Sequence, residues 1–436
     1  MLYSYVMSLF TKKLPIQRNE LFAALDIGSS KVCCAIARFD ATRLTAEDIP
    51  SEGRSLRVVG VGYQLSKGLK SGAIVDLESL EDSILSAVQN AEQTARQNIN
   101  SVYVSLPASF TQSHILKTEI VLSGNPVDET HLRRLLRLNY EGIIKNDRHI
   151  IHILPLSYTL DSITGIRDPK GMVGDRLSAT LHVVSAPLSL IRNLSGCIGR
   201  CHLDIAGYVS SAYASGLATL VEDELELGVT VIDMGGAQTT IASFINGTLV
   251  RINSIPLGGS SITADIARGL GTPLSQAERL KTLYGTLMPS TTDDRESIFV
   301  HPMGEVDNDY QHHVSKGMLI HIIRSRVEET LDLISQKIRA SEVDPLVYQR
   351  LVITGGASQL QGLRELSSQL LTKQVRLGVP MGLTGTADMI NNPGFSTCAG
   401  LLHYALQDYN GGQVGSLASK DWQFMRRLSI WFKENF

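Results

Sequence analysis

Two short stretches place a carboxylate at the end of an apolar run and glycine directly after it. Residues 21–39 read LFAALDIGSSKVCCAIARF, with Asp26 closing the run and Gly28, Ser29, Ser30 and Lys31 following. Residues 229–250 read VTVIDMGGAQTTIASFINGTLV, with Asp233 closing the run and Gly235, Gly236 and Thr239 following. A third run, LVIT, leads into Gly355 and Gly356. One such stretch is ordinary turn chemistry, since Asp bonds its own backbone and Gly accepts positive φ. Two copies of strand–Asp–x–Gly–small–strand imply a duplicated device. The chemistry that suits them is binding of a magnesium–triphosphate. Phosphates need backbone N–H donors on turns without Cβ atoms. Hydrated Mg²⁺ needs carboxylates beside those phosphates, reached through waters. Two Asp–Gly hairpins facing each other across a cleft supply both, and the third turn lets base and sugar lie against backbone.

Rival glycine motifs fail. No G-x-x-x-x-G-K-[ST] occurs, and Gly60-Val-Gly62 does not complete G-x-G-x-x-G. The Asp–Gly turns lead into strands rather than helices, unlike a dinucleotide fingerprint. The elements that must position these turns follow from periodicity. Each Asp turn joins two antiparallel strands, RVVGVGYQ is a third strand, residues 76–97 form an amphipathic helix, and SVYVSL is the next strand. Residues 107–180 change character into a small α+β insertion with a basic helix, DETHLRRLLRLN. Helices are expected over 187–201, 204–221 and 317–341, and strand–glycine turn–helix over RLVITGGASQLQGLRELSSQLL.

At 436 residues the chain exceeds one typical core, so two or more domains are expected. The 43% apolar and 19% charged content is that of a soluble globular protein. Forty basic and 43 acidic residues nearly cancel, which removes electrostatic support for nucleic-acid binding. Five sparse cysteines point to a reducing compartment without a disulfide framework, and Cys197-x-x-x-Cys201-His202 lacks the second pair a metal site needs. The N-terminal stretch is apolar first and basic afterwards, the wrong order for a secretory signal, so the expected location is cytoplasmic.

The last sixteen residues, DWQFMRRLSIWFKENF, differ from everything before them. On a helix, Phe424, Met425, Leu428, Trp431, Phe432 and Phe436 share a face roughly 140° wide. Arg426, Arg427 and Lys433 lie beside or opposite it, and Trp422 stands at the start. Such a helix is about 24 Å long, short of a bilayer of about 30 Å. A helix docked on its own domain is the usual fate of an amphipathic stripe. Here the QDYNGGQVGSLASK linker, the bulky aromatic face and the flanking cations suit the headgroup boundary of an anionic membrane instead.

The succession DIGSSK, DMGGAQTT and VITGGASQLQGL resembles the phosphate 1, phosphate 2 and adenosine motifs of the actin/Hsp70/sugar-kinase superfamily. Within it, the chain from about residue 20 to its end is similar to the FtsA family of bacterial cell-division proteins. SKGLKSGAIVDLESL, LGTPLSQAERLKTLYG, STCAGLLHY and the insertion at 107–180 support this. The resemblance implies an α/β, actin-like two-domain fold, duplicated RNase H-like domains with an FtsA-type inserted α+β subdomain. Its implied boundaries are an N-terminal extension (1–19), subdomain 1A (20–106 and 181–225, with 394–406 returning to it) and inserted subdomain 1C (107–180). Subdomain 2A follows (226–262 and 346–393), then subdomain 2B (263–345), a linker (407–420) and a membrane-targeting helix (421–436).

It also implies roles. Asp26 and Asp233 approach Mg²⁺ through water. Gly28, Ser29, Ser30 and Lys31 line one side of the ATP phosphates, and Gly235, Gly236 and Thr239 the other. Glu278 and Lys281 reach the ribose, and Gly355 and Gly356 pass beside the adenosine. The motif departs from many relatives at Ala237 and Gln238, and Ala resists positive φ, so this turn is expected to hold phosphate less closely. No residue reads as a base or water-orienting group, so ATP binding with at most weak hydrolysis is expected. The implied function is a filament-forming division protein on the inner face of the cell membrane at the septum. It would anchor the tail of the tubulin-like protein FtsZ through Arg324 and Arg326 and recruit later division proteins through 107–180. A small-molecule kinase or an Hsp70-like chaperone is the alternative. The first needs a catalytic Asp that no context flags, and the second needs a substrate domain where a linker and helix stand.

Overall fold

The computed structural model describes residues 21–39, 56–128, 130–132, 134–135, 147–304, 312–341, 345–385 and 389–410. The N-terminal extension, half of the basic helix of the insertion, and the C-terminal helix with its ten aromatic, apolar and cationic candidates lie outside them.

The first half starts with β1 (Leu21–Ile27), β2 (Lys31–Phe39) and β3 (Leu56–Leu65), an antiparallel meander. A small hairpin, β4 (Leu69–Lys70) and β5 (Ala73–Ile74), leads to α1 (Leu77–Ala95). Asp76 caps α1 by accepting from the Glu78 and Ser79 amides, which satisfies two donors that a helix start leaves orphaned. β6 (Ser101–Leu106) returns parallel to β1. The insertion then supplies β7 (Gln112–Val121), β8 (Arg148–Leu160), β9 (Ile163–Ile166) and β10 (Arg176–Pro187), an antiparallel sheet of order β7-β10-β8-β9 with its own core around Leu135, Leu177 and Leu181. α2 (Leu188–Arg200), β11 (Asp204–Ser210), α3 (Ser211–Thr219) and α4 (Glu222–Leu227) follow.

Residues 204–210 are therefore a strand, not the start of the helix expected over 204–221. DIAGYVS finds a parallel partner in β6, and tertiary pairing overrides the helical spacing of its apolar residues. The helix is confined to residues 211–219.

The second half repeats the first. β12 (Val229–Met234), β13 (Thr239–Ile245) and β14 (Thr248–Ile255) form the meander. α5 (Gly259–Leu270), α6 (Leu274–Tyr284), the β15 (Ser297–Val300)–β16 (His312–Ser315) ribbon and α7 (Lys316–Arg339) form an excursion. β17 (Arg350–Thr354), α8 (Leu363–Leu371) and β18 (Gln374–Leu377) complete the unit. The sheet orders are β11-β6-β1-β2-β3-β19 and β14-β13-β12-β17-β18. β1 and β12, β2 and β13, β6 and β17 thus occupy equivalent places.

Two boundaries shift. β19 (Leu383–Gly385) pairs parallel with β3, so the chain rejoins the first sheet ahead of residue 394. α9 (Ser396–Asn410) runs on through residues 407–410, past the expected start of the linker.

α9 and α3 cross between the two halves. A Cβ on Gly400 would stand 1.7 Å from the Ala214 carbonyl oxygen, a backbone atom that cannot yield. The insertion is tied to both halves. His152 Nε2 accepts from the Ser210 amide at 3.1 Å, and His182 Nδ1 donates to the Leu249 carbonyl at 2.8 Å. Burial pulls their pKa values down to about 3 and about 4, which keeps both rings neutral linkers near neutral pH. Gly400→Ala is expected to lower the unfolding free energy by about 2–3 kcal/mol, as overpacking of a fixed contact does. Urea unfolding, read as a fall in midpoint, measures it.

Candidate functional site

In open α/β sheets ligands bind outside the carboxyl ends of the strands. β1 and β12 are central in their sheets, and each ends in a carboxylate aimed at one common cleft. Asp26 lies opposite Cys33 and Asp233 opposite Thr240, the same register in both hairpins. The turns close identically. The Gly28 amide donates to the Lys31 carbonyl, and the Gly235 amide to the Gln238 carbonyl, each at 3.0 Å. Across the cleft the two turns almost touch, since a Cβ on Gly236 would lie 3.1 Å from Ser30 Oγ. The start of α5 fastens the second turn, with the Gly259 and Ser260 amides donating to the Gly235 and Gly236 carbonyls at 2.9 and 2.8 Å.

Gly28, Gly235 and Gly236 are absent from the positive-φ residues, as is Ala237. Close approach, not handedness, is what excludes a side chain at the hairpin glycines, and Ala237 carries no backbone strain. Gly355 is different. Its φ is +90°, and a Cβ there would stand 2.3 Å from Asp233 Oδ1.

The cleft encloses about 720 Å³ and is lined by Asp26, Gly28, Ser29, Ser30, Lys31, Asp233, Gly235, Gly236, Glu278, Lys281, Gly355 and Gly356, among others. Thr239 is the exception among the expected nucleotide contacts. It is fully buried, and its Oγ1 donates to the Leu257 carbonyl at 2.8 Å. Strand alternation turns Thr240 to the cleft instead.

Charge is concentrated at the centre. Ser105 Oγ donates to Asp26 Oδ1 at 2.7 Å. Asp233 Oδ2 accepts from Ser215 Oγ and, at 3.3 Å, from Thr397 Oγ1. Burial raises the Asp26 pKa to about 6; the Ser105 bond and Lys31 oppose this, and the Asp233 charge adds to it. Burial raises Asp233 too, against its two hydroxyl donors and Lys31. Burial lowers Lys31, against the nearby Cys33, Asp26, Cys398 and Asp233.

On the far wall Lys281 Nζ donates to Glu278 Oε2 at 2.7 Å, Thr263 Oγ1 at 2.8 Å and the Gly259 carbonyl at 3.1 Å. Its three donors are thereby taken, and Glu278 stands exposed beside it. Arg324 and Arg326 lie on α7, outside this cleft. Arg324 pairs with Glu328 at 2.7 Å, and half-buried Arg326 holds both Asp265 and Glu329.

The cleft fits a magnesium–nucleotide. Ser211 Oγ and Thr240 Oγ1 line it, are buried, and have no hydrogen-bond partner among the described residues. Buried hydroxyls ordinarily find one. Among the described residues no three His, Cys, Asp or Glu side chains cluster to grip a metal directly, so Asp26 and Asp233 suit a hydrated ion.

The comparisons with known proteins follow this geometry. The family model "Cell division protein FtsA" matches residues 230–400, and "SHS2 domain inserted in FTSA" matches residues 109–185. Cell division protein FtsA of Rhizobium meliloti is 41% identical over 98% of this chain and 97% of its own. The chain belongs to the FtsA family. The family's protein in Pseudomonas aeruginosa is 32% identical over 97% of this chain and 99% of its own, and that of Escherichia coli K12 29% over 96% and 99%. Among solved structures, a PilM–PilN type IV pilus biogenesis complex aligns with TM-score 0.62 at 15% identity, covering 90% of this chain and 99% of that one. MreB5 of Spiroplasma citri bound to ADP aligns with TM-score 0.52 at 12% identity, covering 89% and 96%. The actin-like fold is thereby shown. Family membership over nearly the whole chain does not favour the small-molecule kinase reading.

Sequence reasoning missed Ser105, Ser215, Thr240 and Thr397. Thr240 was reachable by pairing Asp233 across its hairpin. The others arrive from separate strands and helices and carry no local signal.

Asp26 supplies a pH test. Its folded pKa exceeds the unfolded value of 3.8, so its contribution to stability is complete below about pH 4 and lost as pH rises through about 6. Without nucleotide, Asp26→Asn is therefore expected to melt at the parent temperature near pH 4. Near pH 8 it is expected to be more stable, by up to about 3 kcal/mol. Thermal denaturation at the two pH values decides it.

Proposed function

We propose that this protein is an ATP-binding, actin-like cell-division protein that polymerises on the cytoplasmic face of the membrane and anchors FtsZ filaments at the division site. The observation that carries the reading is the meeting of two register-matched Asp–Gly hairpins across one cleft in a chain of the FtsA family. Gly28 to Lys31 would cradle the phosphates from one half, and Gly235 and Gly236, with Thr240, from the other. Asp26 and Asp233 would face hydrated Mg²⁺, which supplies charge neutralisation for the triphosphate. Gly355 and Gly356 would pass beside the adenosine, with Glu278 at the ribose. Structural neighbours described as MreB5 bound to ADP and to AMPPNP support nucleotide in a cleft of this fold. Hydrolysis is expected to be weak at most: Asp26 accepts from Ser105, and Asp233 from Ser215 and Thr397.

The amphipathic stretch 421–436 would tether the chain to anionic lipid. One short helix binds reversibly, so filament formation would add avidity. Of Arg324 and Arg326, Arg324 is the better candidate for the acidic FtsZ tail, since Arg326 is held by two carboxylates. The inserted sheet would carry the contacts to later division proteins.

Liposome flotation with ATP tests the tether. The intact chain is expected to float with anionic vesicles, and a chain ending at Lys420 to stay at the bottom. Equal flotation of both would remove the membrane anchor from the reading.

A further inference from the structure

The turn entering α9, Asn392-Pro-Gly-Phe-Ser-Thr397, has no role in the reading above, yet its side chains reach all three glycine turns. Lys31 Nζ of the first stands 3.1 Å from the centre of the Phe395 ring. Thr397 Oγ1 donates to Asp233 Oδ2 of the second at 3.3 Å and shares a 3.0 Å hydrogen bond with Ser215 Oγ. At the third, Ser396 Oγ lies 2.6 Å from Thr354 Oγ1, and Asn392 Nδ2 donates to Gln359 Oε1 at 2.8 Å. The turn is itself fixed. Asn392 Oδ1 accepts from the Gly394 amide at 2.8 Å, and Tyr63 meets the Phe395 ring edge-on with centroids 5.9 Å apart.

We propose that Phe395 and Thr397 are positioning residues of the phosphate site: the ring face holds the Lys31 ammonium in the cleft, and the hydroxyl orients the Asp233 carboxylate towards the same ligand. The proposal rests on the nucleotide reading and deepens it. A half-buried ammonium needs partners on more than one side. Asp26 and Asp233 attract Lys31 from the strand ends, and Cys33 of β2 and Cys398 of α9 lie near it. The ring supplies the remaining face without competing for the N–H donors that a phosphate takes. A desolvated cation over an aromatic face is among the stronger contacts of this kind. Leucine would fill the volume and lose the quadrupole.

The test titrates the full chain with ATP and with adenosine in Mg²⁺. Phe395→Leu is expected to lose about five- to tenfold in ATP affinity while adenosine affinity is unchanged, and Phe395→Tyr is expected to restore ATP binding. Thr397→Val is expected to raise the Mg²⁺ concentration needed for half-maximal ATP binding. Parent-like ATP binding by Phe395→Leu overturns the proposal. So does an equal loss for ATP and adenosine, which is the mark of ordinary core packing. If the parent chain takes up no ATP, the nucleotide reading fails and this proposal falls with it; if the parent binds and the leucine variant matches it, only the positioning role fails.

Discussion

Two carboxylates, Asp233 buried and Asp26 half-buried, that face one another across a cleft cannot both stay ionised cheaply without a cation between them. That constraint organises the molecule. Asp26 and Asp233 end the central strands of two equivalent sheets, and each is raised in pKa by burial. Lys31 offsets part of the repulsion, itself held against its tendency to lose a proton when buried. Hydroxyls from β6, α3 and α9 donate to the carboxylates and keep them aimed. A divalent cation would complete the neutralisation, and it would bring its bound phosphates against both halves.

The same constraint explains the tight backbone. The two turns can share one ligand only if they nearly meet, and Gly236 against Ser30 leaves no room for a side chain. The halves can approach that closely only if the helices between them do too, and Gly400 against Ala214 is where α9 and α3 meet. The insertion does not interrupt this arrangement because it leaves the first sheet after β6 and re-enters through α2. Its histidine links to Ser210 and Leu249 bind it to both halves without touching the cleft.

Much of this was legible in the sequence because the chemistry is local and repeated. The Asp–x–Gly turn appears twice with its flanking strands, and the third glycine pair follows a β-branched run, so the cleft's glycine and carboxylate residues could be named from the sequence, while the resemblance to the FtsA family implied the fold. What escaped was set by long-range pairing. Residues 204–210 took strand form because β6 lay waiting as a partner. Thr240 rather than Thr239 faces the cleft because it pairs with Asp233 across the hairpin, a register that follows only once the length of the turn is fixed. Phe395 reads as a plain core aromatic; only the fold brings it over Lys31.

Calorimetric titration of the intact chain with ATP, with Mg²⁺ and again with EDTA, addresses the central claim most directly. Saturable binding of one nucleotide per chain, weakened at least about tenfold when the divalent cation is removed, is the predicted result. No uptake, or an affinity indifferent to Mg²⁺, would contradict a cleft built around two carboxylates awaiting a cation.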